Sequence, residues 1–249
     1  FLRKKMNINF YIKYHTVIGE ELFILGNNFY LGDNDPSKAV KLSWYDEDFW
    51  HGSINFPDDF DDEIHYRYIL KDKKGIEIFD GEEYRFIDLS LKKIKSYSVF
   101  DVWNAASNVW NVFFTKAFSK TLLPPLTKVK IVNPKNFNHT FRVKAPLLKP
   151  GETICLCGST KNLKNWDTEN PIILSPKNNW YTTNVFLEQN EWPASYKYGI
   201  YNINEKKWIG FEEGQNRLVH KREETENSIS IINDGFVIIR LICGKAQEF

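Results

Sequence analysis

The sequence predicts an all-β protein made of two tandem immunoglobulin-like β-sandwich domains. Two observations set the class: short runs of β-branched and aromatic residues are bounded by Gly, Asp, Asn and Pro, and no long stretch shows a 3.6-residue apolar period. The third is an internal repeat. Gly19-Glu20 precedes Gly26 by the interval that separates Gly151-Glu152 from Gly158. Leu31, Asn34 and Leu42 match Leu163, Trp166 and Leu174, all 132 residues further on. After a turn two residues longer in the first copy, Trp50, Tyr66 and Arg67 match Trp180, Tyr196 and Lys197, and Arg85 returns to the first offset against Arg217. Length changes confined to turns are what a duplicated β-domain shows. Each copy, at roughly 100 residues, is the size of an immunoglobulin-like sandwich.

In chain order, INFYIKYH, EELFILG, FWHGSINF, HYRYILK and IEIFD read as strands of a first domain spanning 6–103. The following segment, 104–136, is too aromatic for a flexible linker. It carries Val109, Trp110, Val112, Phe113, Phe114 and Phe118, so it is expected to pack on one or both domains, with a turn or two of helix in VWNVFFTKAF. Pro124-Pro125 then holds an extended stretch. In the second domain, 137–249, SISIINDGFVIIR reads as a hairpin turning at Asn233-Asp234-Gly235.

Composition narrows the function. Hydrophobic residues are 42% and charges 26% of 249, an ordinary soluble globular balance. A formal net charge of +1 leaves no basic footprint, so nucleic acid is not an expected partner. A membrane span needs about 18 consecutive apolar residues, and the sequence has no such run. Three cysteines are an odd count, and Cys155 and Cys157 sit two apart on a strand, a spacing poor for a disulfide. With the distant Cys243 they read as reduced thiols which, with no apolar signal core after the first basic residues, places the protein in the cytoplasm. The five histidines are scattered, so no metal or cofactor is expected.

The stretch from Leu163 to Arg217 collects Trp166, Lys197, Trp208, Glu212, Glu213 and Asn216. Indole faces pack on the C–H face of a pyranose, while ammonium, carboxylate and amide groups bond its hydroxyls. That set points to sugar binding. It holds no obvious nucleophile. The acidic run Asp58, Asp59, Asp61, Asp62 and Glu63 lies in one loop, whereas glycoside cleavage sets two carboxylates across the scissile bond. No catalytic residue is expected.

With these residues laid out, the second half resembles a starch-binding domain of carbohydrate-binding module family 20. The resemblance is carried by GETICLCGSTKNLKNW, PIILSPKNNWYTTNVFL, ASYKYGIY and KKWIGFEEGQNR, and it covers Phe137 to about Gly244. It implies a principal glucan site in which Trp166 and Trp208 stack on glucose. Lys197 (after Tyr196), Asn216 and either Glu212 or Glu213 would bond the hydroxyls. Lys164 stands where the family pattern L-G-x-W has Gly. The first half, about Met6 to Trp103, resembles the same family more weakly. There Asn34 replaces the first stacking Trp, Ile78 or Phe79 takes the place of the second, and Arg67 replaces the lysine. The resemblance also implies a second site built from tyrosines and a strand-opening Trp, with Tyr45 and Trp50, beside Trp44, in the first half and Trp180 in the second. Two such modules joined by the Trp103–Phe114 segment resemble the amino-terminal part of 4-α-glucanotransferases of glycoside hydrolase family 77. That likeness implies α-glucan polysaccharide or maltooligosaccharide as ligand and a C-terminal catalytic domain of the same parent chain as partner. A brace or oligomer contact that has lost glucan binding is the alternative.

Overall fold

The structure, a computed structural model, describes residues 5–57, 60, 63–81, 84–89, 94–115, 117–118, 126–127, 129, 131, 134–219 and 227–238. Asp58, Asp59, Asp61, Asp62, Pro124-Pro125, His220 and Cys243 lie outside the described residues. The first half contributes β1 (Lys5–Lys13), β2 (Glu21–Gly26), β3 (Val40–Lys41), β4 (Ser43–Trp44), β5 (Phe49–Pro57), β6 (Ile64–Lys71), β7 (Glu77–Phe79), β8 (Arg85–Ile87) and β9 (Ser96–Val102). The second contributes β10 (His139–Lys144), β11 (Glu152–Gly158), β12 (Ile172–Ile173), β13 (Ser175–Lys177), β14 (Trp180–Val185), β15 (Ser195–Asn202), β16 (Lys207–Phe211), β17 (Arg217–Leu218) and β18 (Ser228–Phe236). The all-β sandwich architecture expected from sequence is what forms.

The alternation of apolar residues sets each strand's face. In β1, Met6, Ile8, Phe10 and Ile12 point into a core shared with Leu22, Ile24, Tyr66 and Tyr68 of β2 and β6. In the second half, Phe141 and Val143 meet Ile154, Leu156, Tyr196 and Tyr198 of β11 and β15.

The two sandwiches are fused. A single eight-stranded sheet runs β13-β14-β10-β18-β9-β1-β5-β4, and its middle junction is a parallel pairing of β9 with β18, Ser96 opposite Ser228 through Asp101 opposite Asn233. Along these strands, Tyr97, Val99, Ile229 and Ile231 enter the first core. Phe100 and Ile232 enter the second, together with Tyr11 and Phe49 of the first half. Neighbouring residues on a strand face opposite sides, so the β2–β6 sheet and the β11–β15 sheet cover opposite faces of the shared sheet. Each half lends its partner part of a core. This explains why every residue of β10, including His139, Arg142 and Lys144, is buried: the strand is covered on both faces.

Two local expectations are resolved by this packing. The segment after Ser228 is no hairpin: β18 runs to Phe236 between β9 and β10, with a bulge opposite Arg142–Lys144 and Gly235 at φ +68. Both flanks of the strand are already paired, so a turn at Asn233-Asp234-Gly235 would break the sheet. The aromatic segment includes a short 3-10 helix, Val109–Phe114, whose Phe114 ring lies 5.8 Å from Phe236 and 5.0 Å from the Lys144 ammonium.

Candidate functional site

The candidate site lies on the outer face of the β11–β15–β16 sheet. Tyr196, Tyr198 and Ile200 of β15 point into the core, so Lys197, Gly199 and Tyr201 point out. Cross-strand partners share that face: Cys157 beside Lys197, Cys155 beside Gly199, Trp208 beside Tyr201 and Phe211 beside Gly199. Gly199 is required here, because a Cβ on it would meet the Gly210 carbonyl at 2.9 Å and the Trp208 Nε1 at 3.1 Å. Without one, the Trp208 indole lies close on the strand.

Trp166 reaches the same face from a strained loop. Lys164, Asn165 and Trp166 have φ values of 73, 47 and 61, three consecutive non-glycine residues in the left-handed region. Such residues cost about 1–2 kcal/mol each and persist where surrounding bonds hold them. Here the Thr160 carbonyl accepts from Leu163 N and Asn165 N, the Lys164 carbonyl accepts from Asp167 N, and the Cys157 thiol donates to the Asp167 carbonyl at 3.2 Å. Burial and the nearby Asp167 push the Cys157 thiol up to about 11, so it stays a protonated donor.

The three rings meet. Trp166 packs edge-on against Phe211 at 6.2 Å between centroids, and Phe211 packs against Trp208 at 5.0 Å. Phe211 was missed by sequence reasoning. Its signal was its match, 132 residues on, to Phe79: the pairing of Phe79 with Ile69 repeats that of Phe211 with Gly199, and that of Ile78 with Leu70 repeats Gly210 with Ile200, which corrects the expectation that Ile78 or Phe79 stands in the place of Trp208. Lys197 donates to the Gly214 carbonyl at 2.6 Å, tying down the loop after β16. An ammonium has two further donors.

The two glutamates separate. Glu212 is 5% exposed, and its carboxylate accepts from Arg217 Nε at 2.9 Å, Arg217 Nη2 at 2.7 Å and Tyr198 N at 3.0 Å. The expectation that it touches ligand is corrected: it is the buried counter-ion of Arg217, as Asp80 is of Arg85 in the first half. Burial weakens the Arg217 charge, but the Glu212 bonds and Asp234 outweigh it and hold the guanidinium firmly protonated. Glu213 is the exposed member of the pair. Asn216 is also exposed, and it borders a cleft of about 260 Å³ against Lys13, Asp48 and Phe49 of the first half.

The equivalent surface of the first half is filled in. Ile69 occupies the place of Gly199, and the Arg67 guanidinium lies 4.2 Å from the Phe79 ring and 4.9 Å from Tyr84. Asn34 keeps the left-handed backbone of Trp166, at φ 60, without its ring.

The second-site residues are not brought together. Trp50 pairs with Ile12 and packs on the first core, whereas Tyr45 touches Tyr11 and His51 on the reverse face. Trp180 is 8% exposed, and the Lys144 ammonium lies 4.9 Å from its ring. The Lys144 ammonium covers one ring face, and Trp180 also borders a cleft of about 490 Å³ that Phe86 and Arg142 line as well. Among the described residues, no group of three or more His, Cys, Asp or Glu could hold a metal ion.

A β-sandwich presenting aromatic rings beside exposed polar side chains is the arrangement of a carbohydrate-binding module. The chain belongs to the starch binding domain family, which it matches twice, over residues 5–97 and 136–231. It is 25% identical over 224 residues to 4-alpha-glucanotransferase DPE2 of Oryza sativa subsp. japonica, an alignment covering 84% of this chain and 23% of that protein. The chain therefore spans less than a quarter of that relative's length. A similar solved structure is the family 20 module of the maltotetraose-forming amylase from Pseudomonas saccharophila STB07, with 20% identity and a TM-score of 0.32 over 39% of this chain and 100% of that one. Another is a family 26 module from Eubacterium rectale Amy13K in complex with maltoheptaose, with 12% identity and a TM-score of 0.26 over 93% of each chain.

Proposed function

We propose that the second half binds α-1,4-glucan through Trp166, Phe211 and Trp208, with Lys197 and Glu213 bonding sugar hydroxyls. The observation that carries this is the continuous ring surface that a strained, well-bonded loop completes. Starch, glycogen and maltooligosaccharides present the same repeating C–H faces and hydroxyls. Each hydroxyl exchanges water bonds for protein bonds, a net gain of about 1 kcal/mol. Short oligosaccharides should therefore bind in about the micromolar to millimolar range.

In this reading the chain is the glucan-targeting region of a 4-α-glucanotransferase, working beside the catalytic domain of its parent. The likeness to the rice enzyme supports that assignment. The first half acts as a brace: its ring surface is occupied by Ile69 and Arg67, and β9 is built into the sheet of its neighbour. The free, buried thiols Cys155 and Cys157 suit a reducing cytoplasm. Co-sedimentation with insoluble starch tests the binding function. Wild type should pellet with the granules, and Trp166→Ala/Trp208→Ala should stay in solution. Equal partitioning of the two would refute the assigned surface.

A further inference from the structure

The second sandwich has an open edge. Its chain changes sheets between β12, which pairs with β11, and β13, which follows β14 only as far as Thr182. Beyond that point a groove of about 520 Å³ is lined by β12 and by the last residues of β14. Its volume falls within the usual range for small-molecule sites, roughly 300–1,000 Å³. Asn162 and Lys164, which precede Trp166 in its strained loop, also line it, as do Ile131 and Pro134 of the segment joining the halves. We propose that this groove receives the continuation of a glucan chain seated on the rings, and so makes the site prefer longer maltooligosaccharides. The inference rests on the glucan reading above.

A row of cross-strand partners connects the rings to the groove. Phe211 stands opposite Gly199, Gly199 opposite Cys155, and Cys155 opposite Ile173, so the four lie in one line on the outer face. The middle of that line is low, because Gly199 has no side chain and Cys155 is fully buried. Ile173 ends the line and lines the groove. The row crosses three strand spacings, about 14 Å. Three rings engage a trisaccharide fully, whereas a longer chain has units to spare for the groove.

The lining suits a sugar. Phe186, 38% exposed, stands there with Ile172 and Ile131, an apolar wall for the C–H faces of a pyranose. Asn162 is half-buried, and its side-chain amide has no hydrogen-bond partner among the described residues, so it is left to bond a hydroxyl. Apart from Lys164 the lining is uncharged, which fits a neutral chain. Neither Trp180 nor any residue that the resemblance assigns to the principal site lines this groove. One of its walls comes from the segment between the halves, so the groove belongs to the tandem and not to a single module.

Isothermal titration with maltotriose and with maltoheptaose tests the proposal. Wild type should bind maltoheptaose about tenfold more tightly, a difference of about 1.4 kcal/mol. Phe186→Ala and Asn162→Ala should each weaken maltoheptaose about fivefold and leave maltotriose unchanged, because one groove contact is lost in each. Unchanged urea midpoints would show that both variants fold. Trp166→Ala/Trp208→Ala should weaken both ligands. If Phe186→Ala and Asn162→Ala affect the two ligands alike, or affect neither, the groove is overturned and the ring surface stands. Equal affinity of wild type for the two ligands would overturn the groove as well. Maltoheptaose binding that survives the double Trp variant yet falls in Phe186→Ala would support the groove and remove the ring surface as a site.

Discussion

Asn233 of the second half donates its amide to the Asp101 carboxylate of the first at 2.8 Å, across the β9–β18 seam. The same carboxylate accepts from the hydroxyls of Tyr66 and Tyr68, at 2.9 and 2.7 Å, and faces Arg85 at 3.1 Å. One residue beyond Asn233, Asp234 repeats the pattern: it accepts from Tyr196 and Tyr198, both at 2.8 Å, and faces Arg217 at 3.2 Å. The two clusters are copies, but they stand one residue out of register across the seam. A one-residue shift turns a side chain to the other face of a sheet, so each cluster serves the core on its own side. The halves are thereby locked as one body.

Asn233→Ala should accordingly destabilise the first half as well as the second. It removes one partner of a buried carboxylate, a loss of about 1–3 kcal/mol. Urea unfolding followed by fluorescence should keep a single transition at a lower midpoint. Two separated transitions in wild type would contradict a fused body.

Glu212 and Glu213 should respond oppositely to the same substitution. Glu212→Gln breaks a buried pair with Arg217 and should cost about 3 kcal/mol of stability. Glu213→Gln should leave unfolding unchanged and weaken maltoheptaose binding several-fold. Urea midpoints and titrations of the two variants, side by side, decide the assignment.

The Trp166 loop carries strain at Lys164 that glycine would relieve. At φ 73 a side chain pays a steric cost that glycine avoids, partly offset by the entropy glycine loses on folding. Lys164→Gly should raise stability by about 0.5–1 kcal/mol, with glucan affinity held within twofold. A fall in the melting temperature would show that the lysine side chain, not the backbone, holds the loop.

His139 should make the fold acid-sensitive. Burial lowers its pKa to about 4 from an unfolded value of about 6.5. A depressed histidine stabilises the fold above the unfolded value, and that stability is lost as pH falls from about 6.5 to 4. The loss should reach about 3 kcal/mol, because each tenfold drop in proton affinity on folding is worth about 1.4 kcal/mol. His139→Gln should flatten the urea midpoint over that pH interval, and an unchanged slope would locate the acid sensitivity elsewhere.

The sandwich fold and the starch binding domain family were legible because both are written locally. Strand alternation, the spacing of Trp166, Lys197 and Trp208, and the repeat of Gly26 and Gly158 are properties of short segments. What the sequence concealed depends on contacts between distant segments. Asn233-Asp234-Gly235 carries a strong turn signal, yet pairing on both flanks keeps it in a strand. Glu212 looks like a loop acid until Arg217 folds back on it. Trp180 looks like an open platform in sequence, yet the Lys144 ammonium takes one of its ring faces. Phe211 was passed over beside two tryptophans, although Gly199 opposite it is what lets the rings close up. The halves' shared sheet had no local signature, since parallel pairing joins residues far apart in the chain.

The central claim is that Trp166, Phe211 and Trp208 form a working glucan surface. The most direct measurement is a maltoheptaose titration followed by intrinsic tryptophan fluorescence, comparing wild type with Trp166→Ala, Phe211→Ala, Trp208→Ala and Trp50→Ala. Binding should be saturable in wild type and Trp50→Ala, and weaker by about tenfold to a hundredfold in the other three, a loss of about 1.4–2.7 kcal/mol. Undiminished saturable binding in Trp166→Ala, Phe211→Ala and Trp208→Ala would contradict the account and move the working site elsewhere on the protein.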